Sequence, residues 1–209
     1  MISYLNSNTN SNISFGSLKE NLRLGEDVYR DFKKEFPYLR SNTFLGSKIV
    51  QYQGSDRFEK IRPKIERLAD KYDLKIGENR NNFYGVNSFE EFVSNIKKII
   101  SKNKCANCGE QANIMQYELL KKSTDPHLIS MEVEYPLSGM VKEYGSHEFA
   151  VFGLKKGARL DNPKTWGQEA VVVDPWVNRV MPANEAIEYY KIKLGFDSTK
   201  HTTVYDECD

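Results

Sequence analysis

A cysteine stands where a helix is predicted to begin, in the segment Asn107-Cys-Gly-Glu-Gln-Ala112. The partial positive charge at a helix N-terminus stabilises a thiolate over a thiol, and so lowers the pKa of a cysteine placed there. The helical repeat also puts Cys108 on one face with three apolar residues, Ala112, Met115 and Leu119. The sulfur is therefore expected where the helix meets the core, and Cys108 is the candidate nucleophile.

A histidine opens the strand-like segment Gly145-Ser-His-Glu-Phe-Ala-Val-Phe-Gly153. In an extended strand His147 and Phe149 share a face, so the imidazole is expected at the beginning of a strand whose interior is buried. The chain has three histidines. His127 follows a proline in a turn-like segment and His201 lies in a tail with little pattern, so His147 is the best candidate base.

An acid ends the apolar run of Trp166-Gly-Gln-Glu-Ala-Val-Val-Val-Asp-Pro-Trp176. Such a run predicts a buried strand that delivers Asp174 at its end, where Pro175 stops the ladder of hydrogen bonds. If this strand and the strand of His147 are antiparallel neighbours, Asp174 accepts a hydrogen bond from one imidazole nitrogen while the other nitrogen faces Cys108. The spacing in the sequence does not prove that pairing.

Each of these residues also has an ordinary structural explanation. An isolated cysteine is usually inert packing, an isolated histidine is usually solvated or hydrogen-bonded without a role, and Asp-Pro is commonly a turn. The combination of Cys108, His147 and Asp174 in that order is what acyl transfer by a thiol requires, and we prefer that reading.

The pair Cys105 and Cys108 also has the spacing of half a zinc site or of a redox motif. The chain has no second pair of this kind, and the remaining candidates, His201 and Cys208, lie in the tail. The segment before Cys105 has a helical pattern rather than the strand of a thioredoxin-like site. We therefore expect no metal and no cofactor, with Cys105 as a bystander or as the competing nucleophile.

Composition narrows the class of protein. The 209 residues contain 30 Lys and Arg against 29 Asp and Glu, a balance unlike the basic surfaces that bind nucleic acid. No apolar run reaches the roughly 18 residues that suggest a membrane span, and the N-terminus lacks the apolar region of a secretory signal. An odd set of three cysteines argues against a disulfide framework and for a reducing compartment.

The pattern of apolar residues predicts the elements that must hold these side chains. Helices are expected over residues 18–36, 55–72 and 88–101; Gly25 weakens the first, Pro63 falls in an early turn of the second, and Ser88 with Glu91 has capping-box spacing in the third. After residue 104 we expect a helix over 109–122, strands over 129–134, 148–154 and 169–173, and a helix over 184–194 ended by Gly195.

The predicted fold class is α+β, with the nucleophile helix packed on an antiparallel sheet and an N-terminal helical extension. Residues 1–14 are expected to be a disordered polar leader, 15–102 the helical N-terminal part of the same domain, 103–195 the catalytic core and 196–209 a C-terminal tail. The 155–164 segment, between the strands of His147 and Asp174, is a long loop that leaves their pairing open.

The segments Cys108-Gly-Glu-Gln-Ala, His147-Glu-Phe-Ala-Val and Val173-Asp-Pro-Trp together resemble the transglutaminase-like branch of the papain-like cysteine enzymes. That branch includes peptide N-glycanases, transglutaminases, and bacterial effector deamidases and proteases. The resemblance covers residues 103–182, which are 80 of the 209 residues, in the order that the family uses. The helical N-terminal part resembles no family.

The resemblance implies that the Cys108 thiolate attacks a carboxamide or peptide carbonyl, that His147 moves the proton, and that Asp174 orients the imidazole. The Cys108 backbone N–H is the expected first donor to the oxyanion. The second donor stays open among the amides of four residues, Asn107, Asn103, Gln51 and Gln53. Trp176 is either core packing or a wall of the acyl-donor pocket.

The preferred function is deamidation or transamidation of glutamine on a partner protein, which the resemblance suggests is a host protein. A cysteine protease is the first alternative, and a noncatalytic protein-binding module is an alternative of another class. The polar leader is either a frayed terminus, which we prefer, or an export signal of the kind that occurs in bacterial effectors. Under the second interpretation the protein is made in the bacterial cytoplasm and then secreted into a host cell.

Overall fold

The computed structural model describes residues 16–39, 48–72, 86–122, 124–136 and 142–194. The expectations for the leader, the tail and the Gly195 cap lie outside these residues. Within them the chain forms five α-helices: α1 (Leu18–Glu35), α2 (Lys48–Lys71), α3 (Val86–Asn103), α4 (Cys108–Leu120) and α5 (Ala183–Leu194). It also forms four strands: β1 (His127–Pro136), β2 (Lys142–Phe152), β3 (Val171–Asp174) and β4 (Arg179–Pro182).

The four strands make one sheet in the order β1-β2-β3-β4, and every neighbouring pair is antiparallel. The protein is therefore α+β, as the sequence predicts. β2 and β3 are antiparallel neighbours, with Ala150 opposite Val173 and Phe152 opposite Val171. The long connection between them contains a short 3-10 helix, Pro163–Thr165, and does not prevent this pairing.

The sheet is covered on both faces, because alternate side chains of its inner strands are buried on each side. One face packs against α1 and α4, and contributes Ala150, Phe152, Val171 and Val173 to the cluster that these helices share with α3. The opposite face packs against α5 and the connection after β2, and contributes Phe149, Val151 and Val172. This second face also carries Cys108, and it holds the candidate site.

Two predicted helix starts differ from the structure. α2 begins at Lys48, seven residues earlier than expected, so that Pro63 lies inside the helix rather than in its first turn. The exposed position of Pro63 explains why the helix continues, since water can satisfy the carbonyl whose partner N–H is missing. α3 begins at Val86, so Ser88 is inside that helix and is not its N-cap. Strand β4 was not predicted.

A capping box starts α1. The Ser17 backbone N–H donates to Glu20 Oε2 at 2.7 Å, and the Glu20 N–H donates to Ser17 Oγ at 3.4 Å. These bonds satisfy N–H groups that have no partner within the helix, which fixes where α1 begins. Its buried residues include Val28 and Phe32, which pack on the face of the sheet that α4 also covers.

The glycine in the middle of α1 allows this helix to lie close to the sheet. A Cβ on Gly25 would come within 2.9 Å of Val180 Cγ1 and 3.1 Å of Val173 Cγ2. Valine side chains are stiff at χ1, so they have little freedom to move aside. Gly25 thus weakens the helix locally but allows α1 to pack directly on β3 and β4.

Replacing Gly25 by alanine is expected to lower the free energy of unfolding by about 1–3 kcal/mol, the usual cost of overpacking a core. At an exposed helical position the same change would stabilise by about 1 kcal/mol. Urea denaturation followed by circular dichroism measures the difference, with the exposed neighbour Glu26→Ala as the matched control. A Gly25→Ala protein more stable than wild type would show that the contact is not tight.

In the described parts of the chain, no helix combines the length and the apolar character that crossing a membrane requires.

Candidate active site

Helix α4 places Cys108 at its first residue, with Asn107 as the N-cap. Glu110 reaches back so that its Oε2 accepts a hydrogen bond of 2.6 Å from the Asn107 backbone N–H. The Asn107-Cys-Gly-Glu110 spacing is that of a capping box, a local signal that predicts this helix start. The sulfur therefore lies at the positive end of the α4 dipole.

Helix α4 is buried on nearly all sides, not on one face as the apolar spacing predicted. Every residue from Glu110 to Gln116 is buried. The polar ones make hydrogen bonds inside the protein, including Asn113 Nδ2 to Gly109 O at 2.8 Å and Gln111 Nε2 to Ala106 O at 3.3 Å. A helix held this way gives Cys108 a fixed position against the sheet.

His147 lies inside β2 and not at the beginning of a strand as predicted, because pairing with β1 extends β2 back to Lys142. It stands opposite Met131 of β1, and its side chain is 0% exposed. Its Nε2 is 2.7 Å from Asp174 Oδ2. Because a carboxylate only accepts hydrogen bonds, Nε2 carries the proton of this bond. The antiparallel pairing of β2 with β3 therefore brings the predicted base and the predicted acid together.

Four donors converge on the Asp174 carboxylate. Oδ1 accepts from the backbone N–H groups of Trp176 at 3.0 Å and Val177 at 3.4 Å, in the turn that follows β3. Oδ2 accepts from His147 Nε2 and from Tyr190 Oη, each at 2.7 Å. Asp174 is 1% exposed, and this set of donors compensates for burying its charge.

Aromatic rings surround the imidazole. The ring centroid of His147 is 4.7 Å from that of Trp176, 5.3 Å from Tyr190 and 6.0 Å from Phe149. Trp176 is 3% exposed, so it packs on the imidazole as part of the core. These rings exclude water from His147 and Asp174, and a dry surrounding strengthens the attraction between their charges.

The Cys108 thiol interacts with the same imidazole. The other ring nitrogen, His147 Nδ1, has no partner within strict hydrogen-bond geometry among the described residues. Catalytic hydrogen bonds are often long in an enzyme without substrate. The three predicted catalytic residues thus come together in the order thiol, imidazole, carboxylate.

The surroundings of His147 favour its charged form. Burial alone would lower its pKa, but the charge and hydrogen bond of Asp174, together with the Cys108 thiol, outweigh burial and raise the pKa to about 10. At neutral pH the imidazole is therefore protonated.

This raised pKa predicts how stability depends on pH. A group whose pKa is higher in the folded state than in the unfolded state stabilises the folded protein when it is protonated. For His147 this contribution is complete below the unfolded-state pKa of 6.5, and it is lost as the pH rises to the folded-state pKa of about 10. The free energy of unfolding of the wild-type protein should exceed that of His147→Gln by an amount that shrinks steadily between pH 6.5 and about pH 10. Urea denaturation of both proteins at pH 6, 8 and 10 measures it, and a difference that stays constant would contradict the raised pKa.

Two buried carboxyl groups, those of Glu110 and Glu148, lie at the first turn of α4 beside Cys108. Burial raises the pKa of Glu110, and the charge of Glu148 adds to this, while the hydrogen bond from Asn107 and the charge of Arg62 act in the opposite direction. A Cβ on Gly109 would come within 2.9 Å of Glu148 Oε2, so Glu148 lies directly over the first turn of α4.

The second oxyanion donor stays a prediction. The Asn103 side chain donates to Ile99 O at 2.7 Å, within its own helix, and the Asn107 backbone N–H is bound to Glu110. Gln51 and Gln53 lie on α2, at positions whose side chains are outside the described ones. Tyr190 was not predicted at all, since nothing near it in the sequence marks it as part of a site.

Cys105 belongs to a different part of the core from Cys108. It is 1% exposed and packs in a small cluster with Ile61, Ile65 and Ile99, whereas Cys108 packs in the cluster between the sheet and α5. Neither cysteine forms a disulfide within the described chain. No group of three or more His, Cys, Asp or Glu side chains among the described residues has an arrangement that fits a metal ion.

No protein-family model matches the sequence, and comparison with curated proteins and with solved structures also finds no match.

Proposed function

We propose that this protein is a thiol-dependent acyl-transfer enzyme of the papain-like, transglutaminase-like type, in which Cys108, His147 and Asp174 form a catalytic triad. One observation carries the proposal: a buried His147–Asp174 pair at 2.7 Å shares its imidazole with a cysteine at a helix N-terminus. A nucleophile, its base and the group that orients the base are thus connected in one chain of contacts.

The reaction begins from the thiolate–imidazolium pair. The Cys108 sulfur attacks the carbonyl carbon of a carboxamide, and a tetrahedral oxyanion forms as the C–S bond is made. The His147 imidazolium then gives its proton to the leaving nitrogen, so that the C–N bond breaks and ammonia departs. The product of this half-reaction is a thioester on Cys108 and a neutral imidazole.

Water completes the cycle. The neutral His147 takes a proton from water as the water oxygen attacks the thioester carbon, and cleavage of the C–S bond restores the thiolate and the imidazolium. The glutamine of the substrate has then become glutamate. A primary amine in place of water gives transamidation by the same steps. Asp174 holds the imidazole in one orientation throughout and stabilises its charged form.

The limited exposure of the site supports a side-chain carboxamide as substrate. Cys108 is 7% exposed and His147 is 0% exposed. A glutamine side chain ends in a narrow, unbranched carboxamide that can reach a recessed sulfur. A peptide bond has chain on both sides and requires an open cleft to reach the same atom. We therefore propose deamidation or transamidation of glutamine on a partner protein.

Intact mass spectrometry tests the proposal. The protein is incubated with intact candidate partner proteins and with a library of peptides that each contain one glutamine, with and without the diamine putrescine. A gain of about one dalton, the mass change when an amide becomes an acid, indicates deamidation, and a putrescine adduct indicates transamidation. Either result supports the proposal. Fragments of the substrate chain would instead indicate a protease.

Thiol labelling tests whether the chain is an enzyme at all. Iodoacetamide at neutral pH should modify Cys108 faster than Cys105 or Cys208, because the thiolate is the reactive form. The modified cysteine is identified by peptide mass mapping. A Cys108 that reacts no faster than the other two, with no change in any substrate, would indicate a noncatalytic binding module.

A further inference from the structure

Helix α5 brings a buried phenol to the candidate site. Tyr190 is 0% exposed, and its Oη donates a hydrogen bond of 2.7 Å to Asp174 Oδ2, the same oxygen that His147 Nε2 contacts. Its ring meets the imidazole edge-on at 5.3 Å and also packs on Phe149 at 5.0 Å. Tyr190 therefore contacts both the acid and the base of the proposed triad.

The position of Asp174 does not depend on Tyr190 alone. Its other oxygen, Oδ1, is held by the backbone N–H groups of Trp176 and Val177. Loss of the phenol would leave the carboxylate anchored on that side, with His147 Nε2 as the single remaining described donor to Oδ2. A change at Tyr190 is thus expected to act on how strongly Asp174 attracts the imidazole proton.

We propose that Tyr190 is a positioning residue that shares Asp174 Oδ2 with His147 and so limits how tightly Asp174 holds the proton on the imidazole. This inference rests on the proposed function. A hydrogen bond from a neutral phenol spreads part of the carboxylate charge onto Tyr190. Less of that charge then acts on His147, which must release its proton to the leaving nitrogen in each cycle.

Other titratable groups among the described residues act on His147, Asp174 and Tyr190. Cys108 faces the imidazole from α4, and Asp174 faces it from β3. On α5, the charge of Tyr189 acts on Tyr190, and on α1 Tyr29 interacts electrostatically with Asp174. Burial and the charge of Asp174 raise the pKa of Tyr190 well above its usual value of 10, so the phenol keeps its proton while His147 titrates.

The test is a titration of His147 by NMR in Tyr190→Phe, a change that removes one oxygen and keeps the packed ring. Histidine labelled with carbon-13 at Cε1 gives three signals, since the chain has three histidines, and His147→Gln identifies the relevant one. In Tyr190→Phe its pKa should rise by about half a unit or more, roughly a threefold increase in proton affinity. Tyr189→Phe is the matched control, because Tyr189 packs on Arg179 and should leave the pKa unchanged.

Catalysis supplies the second readout. A proton that is held more tightly is given up more slowly, so kcat of Tyr190→Phe should fall by about three- to tenfold while KM stays the same. An unchanged or lowered pKa of His147 in Tyr190→Phe would overturn the inference. If that variant does not fold, the NMR spectrum of the wild-type protein provides the test. The Tyr190 hydroxyl proton and the His147 Nε2 proton both point at Asp174 Oδ2, so they should show a dipolar contact. Absence of that contact would overturn the inference.

The two proposals fail separately. The titration needs no substrate, so a raised pKa in a protein without any acyl-transfer activity would keep the hydrogen-bond role of Tyr190 and reject the proposed function. Activity that depends on Cys108, together with a His147 pKa that does not change in Tyr190→Phe, would keep the proposed function and reject the role of Tyr190.

Discussion

Replacing Cys108 by alanine is expected to reduce the rate of substrate modification by at least about 10⁴-fold, as removal of a nucleophile does in other triad enzymes. No described group could replace the sulfur on that side of the imidazole, because His147 is surrounded by Trp176, Tyr190 and Phe149. The thioester cannot form without the sulfur. Intact mass spectrometry of the modified substrate over time measures the rate.

Cys105→Ala is the control for this variant. Cys105 lies three residues away and is buried with Ile61 and Ile65, away from the imidazole. Its removal should leave the rate within about twofold of wild type, since it contributes packing rather than chemistry. A Cys108→Ala protein that still modifies substrate, or an equal loss in both variants, would contradict the assignment of the nucleophile.

Asp174→Asn is expected to lower both activity and stability. The carboxylate accepts hydrogen bonds from four donors. Each carboxylate oxygen accepts from two of these donors, and an asparagine replaces one of the two oxygens by an NH₂ group, which is itself a donor. Two of the four donors would therefore lose their acceptor. The cost of leaving buried polar groups without partners suggests a loss of about 3 kcal/mol in the free energy of unfolding.

The effect of Asp174→Asn on the rate should be about 10³–10⁴-fold, because His147 loses the charge that stabilises its imidazolium and the bond that fixes its tautomer. Activity is measured by substrate mass as above, and stability by urea denaturation. Asp161→Asn is the control, since Asp161 is exposed and pairs with Arg159 at the surface, where such pairs contribute little. A fully active, stable Asp174→Asn protein would remove Asp174 from the mechanism.

The sequence predicts the α+β class and the three residues of the candidate triad because their signals are local. An apolar run that ends in Asp174, a strand-like segment that contains His147 and a cysteine at a helix start are each local patterns, although β2 begins before His147 and not at it. Bringing them together needed one unproved step, the pairing of β2 with β3, and the register of Ala150 opposite Val173 supplies it.

The rest could not be predicted because it depends on contacts between distant segments. Tyr190 reaches Asp174 from 16 residues later in the chain, through the packing of α5 across the second face of the sheet. The early start of α2 and the continuation of that helix through Pro63 likewise differ from the local expectation. β4 is a four-residue strand with an irregular burial pattern, so it carries no clear alternation to recognise.

The close packing of α1 on β3 and β4 bears on which parts of the chain can be separated. Val28 and Phe32 share a cluster with Val171 and Val173, and Asn21 Nδ2 donates to Glu169 O at 2.8 Å, just before the strand that carries Asp174. A fragment that begins at residue 103 would keep the whole triad but expose one side of this strand to water. The first helix thus supports the strand that carries Asp174, and we expect that a fragment must include α1 to retain the proposed activity.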